Sequence, residues 1–183
     1  LILDEVQCGM GRTGSYFAWQ QTDVKPDIMT TAKALGNGVA VGAFLMNEKV
    51  AASSLKAGDH GTTYGGNPFA CQAVSTVLDI FEKRNIIGHV KELTPYLEAR
   101  LDELVKKYDC VLSRRGKGFM QGLELSVSPV EVVKEGLAQG IFMLTAGTNV
   151  LRLLPPLIIE KKHIDEMYCI LDNIFADMEK NKD

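Results

Sequence analysis

The sequence predicts an α/β protein, and three observations carry that prediction. Strand-length apolar runs at Leu1–Val6, at Ile28–Thr31 and in "VAVGAFLM" are bounded by polar residues or turn signals. Elsewhere apolar residues recur every three or four positions over long windows, as amphipathic helices require. From Cys110 onward the texture changes to short alternating runs broken by glycine, which reads as a smaller α+β part following the α/β part.

Leu1–Val6 closes in acidic residues, the pattern of a buried parallel strand whose C-terminal end faces a ligand. Gly9–Gly14 reads as a loop and Ser15–Gln21 as a short helix. Pro26 breaks the chain before the strand Ile28–Thr31, which carries Lys33 just past its end. Asn37-Gly38 is a turn signal; "VAVGAFLM" then reads as a strand and Lys49–Leu55 as a short helix. In the polar, glycine-rich loop "HGTTYGGNP", Asn67 is placed to cap the next helix, with Pro68 at its first position. Phe69, Ala70, Ala73, Val74, Val77, Leu78 and Phe81 keep helical spacing as far as Lys83. A second helix spans Ile86–Tyr108, with Val90, Leu93, Leu97, Leu101 and Leu104 on one face. Pro95 should kink it or mark its start. "VLSRRGKGFMQGLEL" predicts two strands around Arg114–Gly118, and "SPVEVVKEGLAQG" a helix stopped by Gly140. "IFMLT" and "VLRLLPPL" are strands joined by Ala146–Asn149, and an amphipathic helix closes the chain. The boundary between the two parts falls near residues 84–92.

A chain of 183 residues suffices for one sizeable core or two small lobes. With 46% hydrophobic and 23% charged residues and a net charge of -3, nothing points to nucleic acid or an anionic membrane as a partner. The four cysteines, Cys8, Cys71, Cys110 and Cys169, are scattered and read as buried thiols in a reducing compartment. His60, His89 and His163 share no ligand spacing, so no metal site is expected. No apolar run approaches the roughly 20 residues that span a bilayer, and the expected location is cytoplasmic. The chain starts inside an apolar run without a start signal, so a fragment of a longer polypeptide is expected.

Gly9, Gly11 and Gly14 satisfy G-x-G-x-x-G, the dinucleotide-binding fingerprint. In that fold the first glycine ends the strand directly; here "DEVQC" intervenes and only the short aromatic "SYFAWQQ" follows. The acidic residue expected about 20 positions further on is also missing. The glycines read as a turn.

A different constellation fits together. A carboxylate at the end of a buried strand, Asp4, is costly unless a cation faces it. A lysine among the apolar letters of "TTAKALG", Lys33, is placed to be desolvated, which makes it a usable nucleophile and base. The threonines and glycine amides of "HGTTYGG" suit a phosphate. Pyridoxal phosphate needs these three things: a carboxylate for its pyridinium nitrogen, a lysine, and a phosphate anchor. Taken singly each has a plainer reading, as a loop cap for Asp4, a solvated side chain for Lys33, turn residues for Thr62 and Thr63, and a buried ion-pair partner for Arg152.

"LILDEVQCGMGRTG", "PDIMTTAKALGNGVAVGAF", "HGTTYGGNPFAC" and "VLRLLPPLII" together resemble the class III (subgroup II) pyridoxal-phosphate aminotransferases, closest to the acetylornithine and ornithine branch. The resemblance covers the whole chain in the family's order. It implies the C-terminal part of a fold-type I transferase: residues 1–88 as part of the cofactor-binding large domain and 89–183 as the small α+β domain. It implies that Asp4 pairs with the pyridinium nitrogen, with Glu5 beside it at the cofactor. Val6 packs on a ring face, Gln7 bonds the phenolic oxygen, and Lys33 is the Schiff-base lysine. Thr63 is implied to bind the phosphate of the neighbouring subunit's cofactor in a homodimer, with Thr62 and Arg152 near the substrate. The implied reaction is transamination of N-acetylornithine with 2-oxoglutarate, a step of arginine biosynthesis, with the chain inactive alone. The alternatives are ornithine or another ω-amino donor, a truncated non-catalytic domain and, least favoured, a nicotinamide dehydrogenase; Gln7 argues against the aminomutase branch.

Overall fold

The computed structural model describes residues 1–180. Two compact units divide the chain, Leu1–Ile87 and Gly88–Asp183. In the first, β1 (Ile2–Asp4) runs parallel to β2 (Ile28–Thr31), which pairs antiparallel with β3 (Ala43–Met46). The register places Asp4, Thr30 and Phe44 in one cross-strand row, and Leu3, Met29 and Leu45 in the next. Because side chains alternate between faces, the first row leaves the sheet on one side and the second on the other.

Helix α1 (Glu48–Ser54) starts at Asn47, whose side chain accepts from the Val50 N–H. Helix α2 (Pro68–Lys83) starts at Asn67, whose Oδ1 accepts from the Ala70 N–H at 3.0 Å, with Pro68 at the first helical position. Val77, with Val74 and Phe81 around it, packs on Met10 and Leu35, the small core of this unit. Phe69 and Leu78, though at helical spacing, are exposed.

Two local expectations change here. The helix expected over Ser15–Gln21 is a single 3-10 turn, Ala18–Gln21. Its first amides are held by a carboxylate from far upstream, and the Gln20 side chain accepts from the Phe17 N–H. The strand expected over "VAVGAFLM" begins only at Ala43. Asn37 and Gly38 both take positive φ, and the Val39 N–H returns to the Gly36 carbonyl, so the chain folds back before it extends. A Cβ at Gly36 would collide with the Val39 carbonyl and the Val41 side chain, which accounts for glycine there.

The second unit is built on helix α3 (Ile86–Lys107), whose first two residues precede the boundary. It continues through β4 (Val111–Lys117), β5 (Met120–Leu125), α4 (Pro129–Ala138), β6 (Leu144–Ala146), β7 (Val150–Leu153) and α5 (Lys161–Lys180). The strands form a four-stranded antiparallel sheet in the order β4-β5-β7-β6. Val90, Leu93, Leu97, Leu101 and Leu104 of α3, Leu123 and Leu151 of the sheet, and Ile164, Leu171 and Phe175 of α5 make one continuous core. Each such side chain contributes about 1.5–3 kcal/mol of apolar burial.

Pro95 does not start α3, which is continuous across it. The amide it lacks would have served Lys91, on the exposed face of the helix, and the Thr94 hydroxyl donates back to the Val90 carbonyl at 2.6 Å. The β4–β5 turn lies at Gly118–Phe119, later than the expected Arg114–Gly118. Arg114 is held inside the ladder by Asp102 and by Gln121, a side chain only 2% exposed that also donates to Glu98 and to the Gly118 carbonyl. Strand β6 starts three residues into "IFMLT", at Leu144, and β7 stops before Pro155 and Pro156, which have no N–H for a ladder. Gly140, at φ 87, ends α4 as expected.

Two of the four cysteines depart from their expected burial. Cys110 is buried and Cys8 half-buried, but Cys71 and Cys169 are exposed; none of the four is joined in a disulfide.

Candidate active site

Parallel strands place their C-terminal ends on the same edge of a sheet, which is where α/β proteins assemble ligand sites. At that edge β1 delivers Asp4 and the residues after it, and β2 delivers Lys33 two residues past its last pair. Asp4 is exposed, not buried as the strand pattern suggested. Its Oδ1 accepts the Val6 N–H at 2.9 Å and the Thr30 hydroxyl at 3.2 Å. Val6 and Gln7 follow as half-buried residues of the turn.

Glu5, the neighbour of Asp4, has a different task. It is 3% exposed; its two carboxylate oxygens accept the Ala18 and Trp19 N–H groups, each at 2.9 Å, and one also takes the Cys8 thiol. A carboxylate engaged and buried in this way closes the loop from Val6 to Phe17 and is turned away from the surface. The same thiol, in a partly desolvated place and donating to an anion, has its pKa pushed up to about 11. Burial also lowers the Arg12 guanidinium from its usual value.

The glycines after this segment make a tight turn: Met10, Gly11 and Gly14 all have positive φ, and Gly14 N–H bonds the Gly11 carbonyl. Gly9 packs its Cα against the Glu5 carbonyl, where a Cβ would stand 2.6 Å away. No α-helix follows for a pyrophosphate to sit on, so the dinucleotide reading fails on geometry as well as on spacing.

Lys33 sits at φ 48, a left-handed conformation that a lysine adopts at a cost of about 1 kcal/mol or more. The 3-10 turn Lys33–Leu35 imposes it, through Leu35 N–H to Ala32 and Gly36 N–H to Lys33. Thr31 and Leu35 take the buried positions around it, and the lysine itself is exposed, so the desolvation expected from its apolar neighbours is absent. Its amine is therefore accessible.

The loop "HGTTYGG" is exposed throughout. It is anchored at its start by His60, whose ring stands edge-on to Phe44 at 5.8 Å, in the row that contains Asp4 and Thr30. Its far end is fixed by Asn67. Thr62 Oγ1 accepts the Gly65 N–H, closing the turn, and a side chain at Gly65 would collide with Thr62. Thr63 is exposed on the same turn.

Arg152 belongs to the second unit. It lies mid-strand in β7 between buried Leu151 and Leu153, on the sheet face away from the core, and pairs with Gly122 and Leu144.

The donor set of the first unit fits pyridoxal phosphate: an outward carboxylate and an accessible amine at one sheet edge, with a hydroxyl- and amide-rich loop tied to the same face. Only strand register shows that Thr30 and Phe44 share a row with Asp4. Among the described residues no cluster of His, Cys, Asp and Glu could hold a metal, and no helix is long and apolar enough to cross a membrane.

The model of the class III aminotransferase family matches residues 1–175. The acetylornithine aminotransferase of Methanocaldococcus jannaschii is 45% identical over 180 residues, which are 98% of this chain and 45% of that protein. Among solved structures, Plasmodium falciparum ornithine delta-aminotransferase superposes with a TM-score of 0.91 at 31% identity, over 98% of this chain and 48% of that one. The Toxoplasma gondii ornithine aminotransferase, with pyridoxal phosphate in partial occupancy at its active site, has a TM-score of 0.89 at 29% identity, over 100% of this chain and 44% of that one. The chain thus spans a little under half the length of these relatives and has the fold of the matching part of their transferase architecture. On the family match over residues 1–175, the chain belongs to the class III aminotransferases.

Proposed function

We propose that the full-length protein is a pyridoxal-phosphate-dependent aminotransferase. It moves the amino group of N-acetylornithine to 2-oxoglutarate, giving N-acetylglutamate semialdehyde and glutamate. The observation that carries this reading is the placement of Asp4 and Lys33 at one edge of two parallel strands, with Lys33 held in a left-handed backbone. Strain maintained by surrounding hydrogen bonds at a nucleophile points to function. The relatives named acetylornithine aminotransferase support the choice of substrate.

Bound pyridoxal phosphate supplies an electron-withdrawing ring that takes up the electron pair left when a substrate carbon loses its proton. Asp4 holds the proton on the ring nitrogen, which keeps that ring electron-poor. Val6 packs on one ring face and the Gln7 amide donates to the ring oxygen. Lys33 Nζ would be the atom that holds the cofactor, and the same amine would serve as the general base for the proton on the substrate's amine-bearing carbon. Thr63 donates its hydroxyl to the phosphate held by a neighbouring subunit, which makes the working protein a homodimer, with Thr62 beside the substrate. Arg152 pairs with a substrate carboxylate. Glu5 belongs to the loop that carries Asp4 and Gln7, not to the cofactor.

The Lys33→Ala variant of the full-length protein should lose activity by roughly 10³-fold or more and should no longer retain cofactor after borohydride reduction and denaturation. Retained turnover would remove the reading. Steady-state kcat/KM across N-acetylornithine, ornithine and 4-aminobutyrate decides the donor. Preference for free ornithine would move the protein to the second reading, which the ornithine aminotransferases among its structural neighbours favour.

A further inference from the structure

Asp4 and Thr30 are directly opposed in the β1–β2 ladder, so their side chains leave the sheet together. Thr30 Oγ1 donates to Asp4 Oδ1 at 3.2 Å, and the Val6 N–H donates to that same oxygen at 2.9 Å. The two donors come from different elements, one from the neighbouring strand and one from the turn after β1. A carboxylate gripped by a single amide keeps a broad choice of rotation about its last bond, because the terminal torsion of Asp is soft. Two donors converging on one oxygen fix the carboxylate plane and turn Oδ2 away from both. Thr30 is itself confined, half-buried between Asp4 on one side and Phe44 on the other.

We propose that Thr30 is a positioning residue for Asp4: with the Val6 amide its hydroxyl holds Oδ1, so that Oδ2 faces the ring nitrogen of the bound cofactor. This rests on the function proposed above. The hydroxyl, not the bulk of the side chain, carries the role. Valine matches threonine in shape and is favoured in strands, so the Thr30→Val variant removes the donor and keeps the packing; Thr30→Ser keeps the donor and removes a methyl group.

The test uses the full-length protein and four variants, Thr30→Val, Thr30→Ser, Asp4→Ala and Lys33→Ala. The measurements are cofactor affinity by equilibrium dialysis, the pH dependence of the bound cofactor's visible absorbance, kcat and KM separately, and melting of the apo form. Thr30→Val should keep its melting temperature and KM, weaken cofactor binding and lower kcat by about ten-fold each, and shift the pH at which the visible band titrates. Thr30→Ser should restore all of these. Wild-type absorbance and kcat in Thr30→Val would overturn the proposal, as would equal impairment of both Thr30 variants or a change confined to melting. Should Thr30→Val not fold, Thr30→Ser decides: wild-type behaviour supports the hydroxyl, and impairment overturns it. If Asp4→Ala leaves cofactor binding and absorbance unchanged, or Lys33→Ala retains turnover, the function reading itself fails. If those two behave as expected and Thr30→Val does not, only the role of Thr30 fails.

Discussion

Asp4 and Glu5 are adjacent carboxylates with opposite tasks, and the difference lies in which way each faces. Asp4 points outward from the sheet edge, while Glu5 points inward and gathers two amides and a thiol. The letters "DE" carry no sign of this, because it depends on a loop that returns thirteen residues later to offer the Ala18 amide. Lys33 was legible as a chemical residue from its motif, but its exposure was not: "TTAKALG" looks uniformly apolar, and the 3-10 turn decides that Thr31 and Leu35 go in and Lys33 stays out. The burial of Cys8 beside Glu5 gives a measurable consequence. With its pKa raised from 9.0 to about 11, its thiolate population below pH 9 falls about 100-fold. A thiol alkylator at pH 8 should therefore modify the exposed Cys71 and Cys169 well before Cys8. Peptide mass mapping over time checks the order, and early labelling of Cys8 would contradict the described loop. Replacing Glu5 by Gln should weaken this protection without abolishing it, since burial, the larger cause, remains when the negative charge beside the thiol is removed.

Among elements, the helices were the most legible and the strands the least. Helices α2, α3 and α5 are long enough for their apolar spacing to repeat several times, and α2 is bracketed by its own cap and proline. Strands β1 and β6 are only three residues long, too short for alternation to establish itself, and their limits are set by pairing partners. The β4–β5 turn shows the same dependence. Its position is fixed by Gln121 and Arg114, a polar pair inside the unit whose partners come from α3. At the start of α2, Asn67 serves twice, since its side chain donates to the Tyr64 carbonyl and accepts from the Ala70 amide. Asn67→Ala should cost about 1 kcal/mol of stability in the first unit and loosen the end of the loop that carries Thr62 and Thr63. Thermal melting measures the first effect; unchanged melting would mean that the cap is redundant.

At the scale of the whole molecule, the two units differ in how they are held. The first has a core of a few residues under a three-stranded sheet; the second has a continuous core and a set of charged contacts between α3 and α5. Asp165 accepts Tyr96 and Arg100, and Asp172 accepts Lys107 and Tyr108, while Arg100 also lies over the rings of Tyr96 and Tyr168. Hydrogen bonds from Tyr96 and then Arg100 hold the Asp165 carboxyl below its usual pKa. At Asp172 burial pushes upward, yet Lys107 and Tyr108 outweigh it and the net shift is also downward. A carboxylate whose pKa is lowered by folding contributes stability that is complete above its unfolded value near 4 and is lost as pH falls through the folded value below that. The second unit should therefore melt at a lower temperature at pH 3 than at pH 6, and Asp165→Asn should reduce that dependence. Equal slopes for the variant and the parent would show that the contact does not contribute.

The single tryptophan of the chain, Trp19, has its backbone amide pinned by Glu5 in the loop beside Asp4. Its emission is thus an optical signal private to the first unit, whereas far-ultraviolet dichroism is weighted toward α3 and α5, the two longest helices, of 22 and 20 residues. One sample, watched by two kinds of light, separates the order in which the loop after β1 and the helical unit come apart.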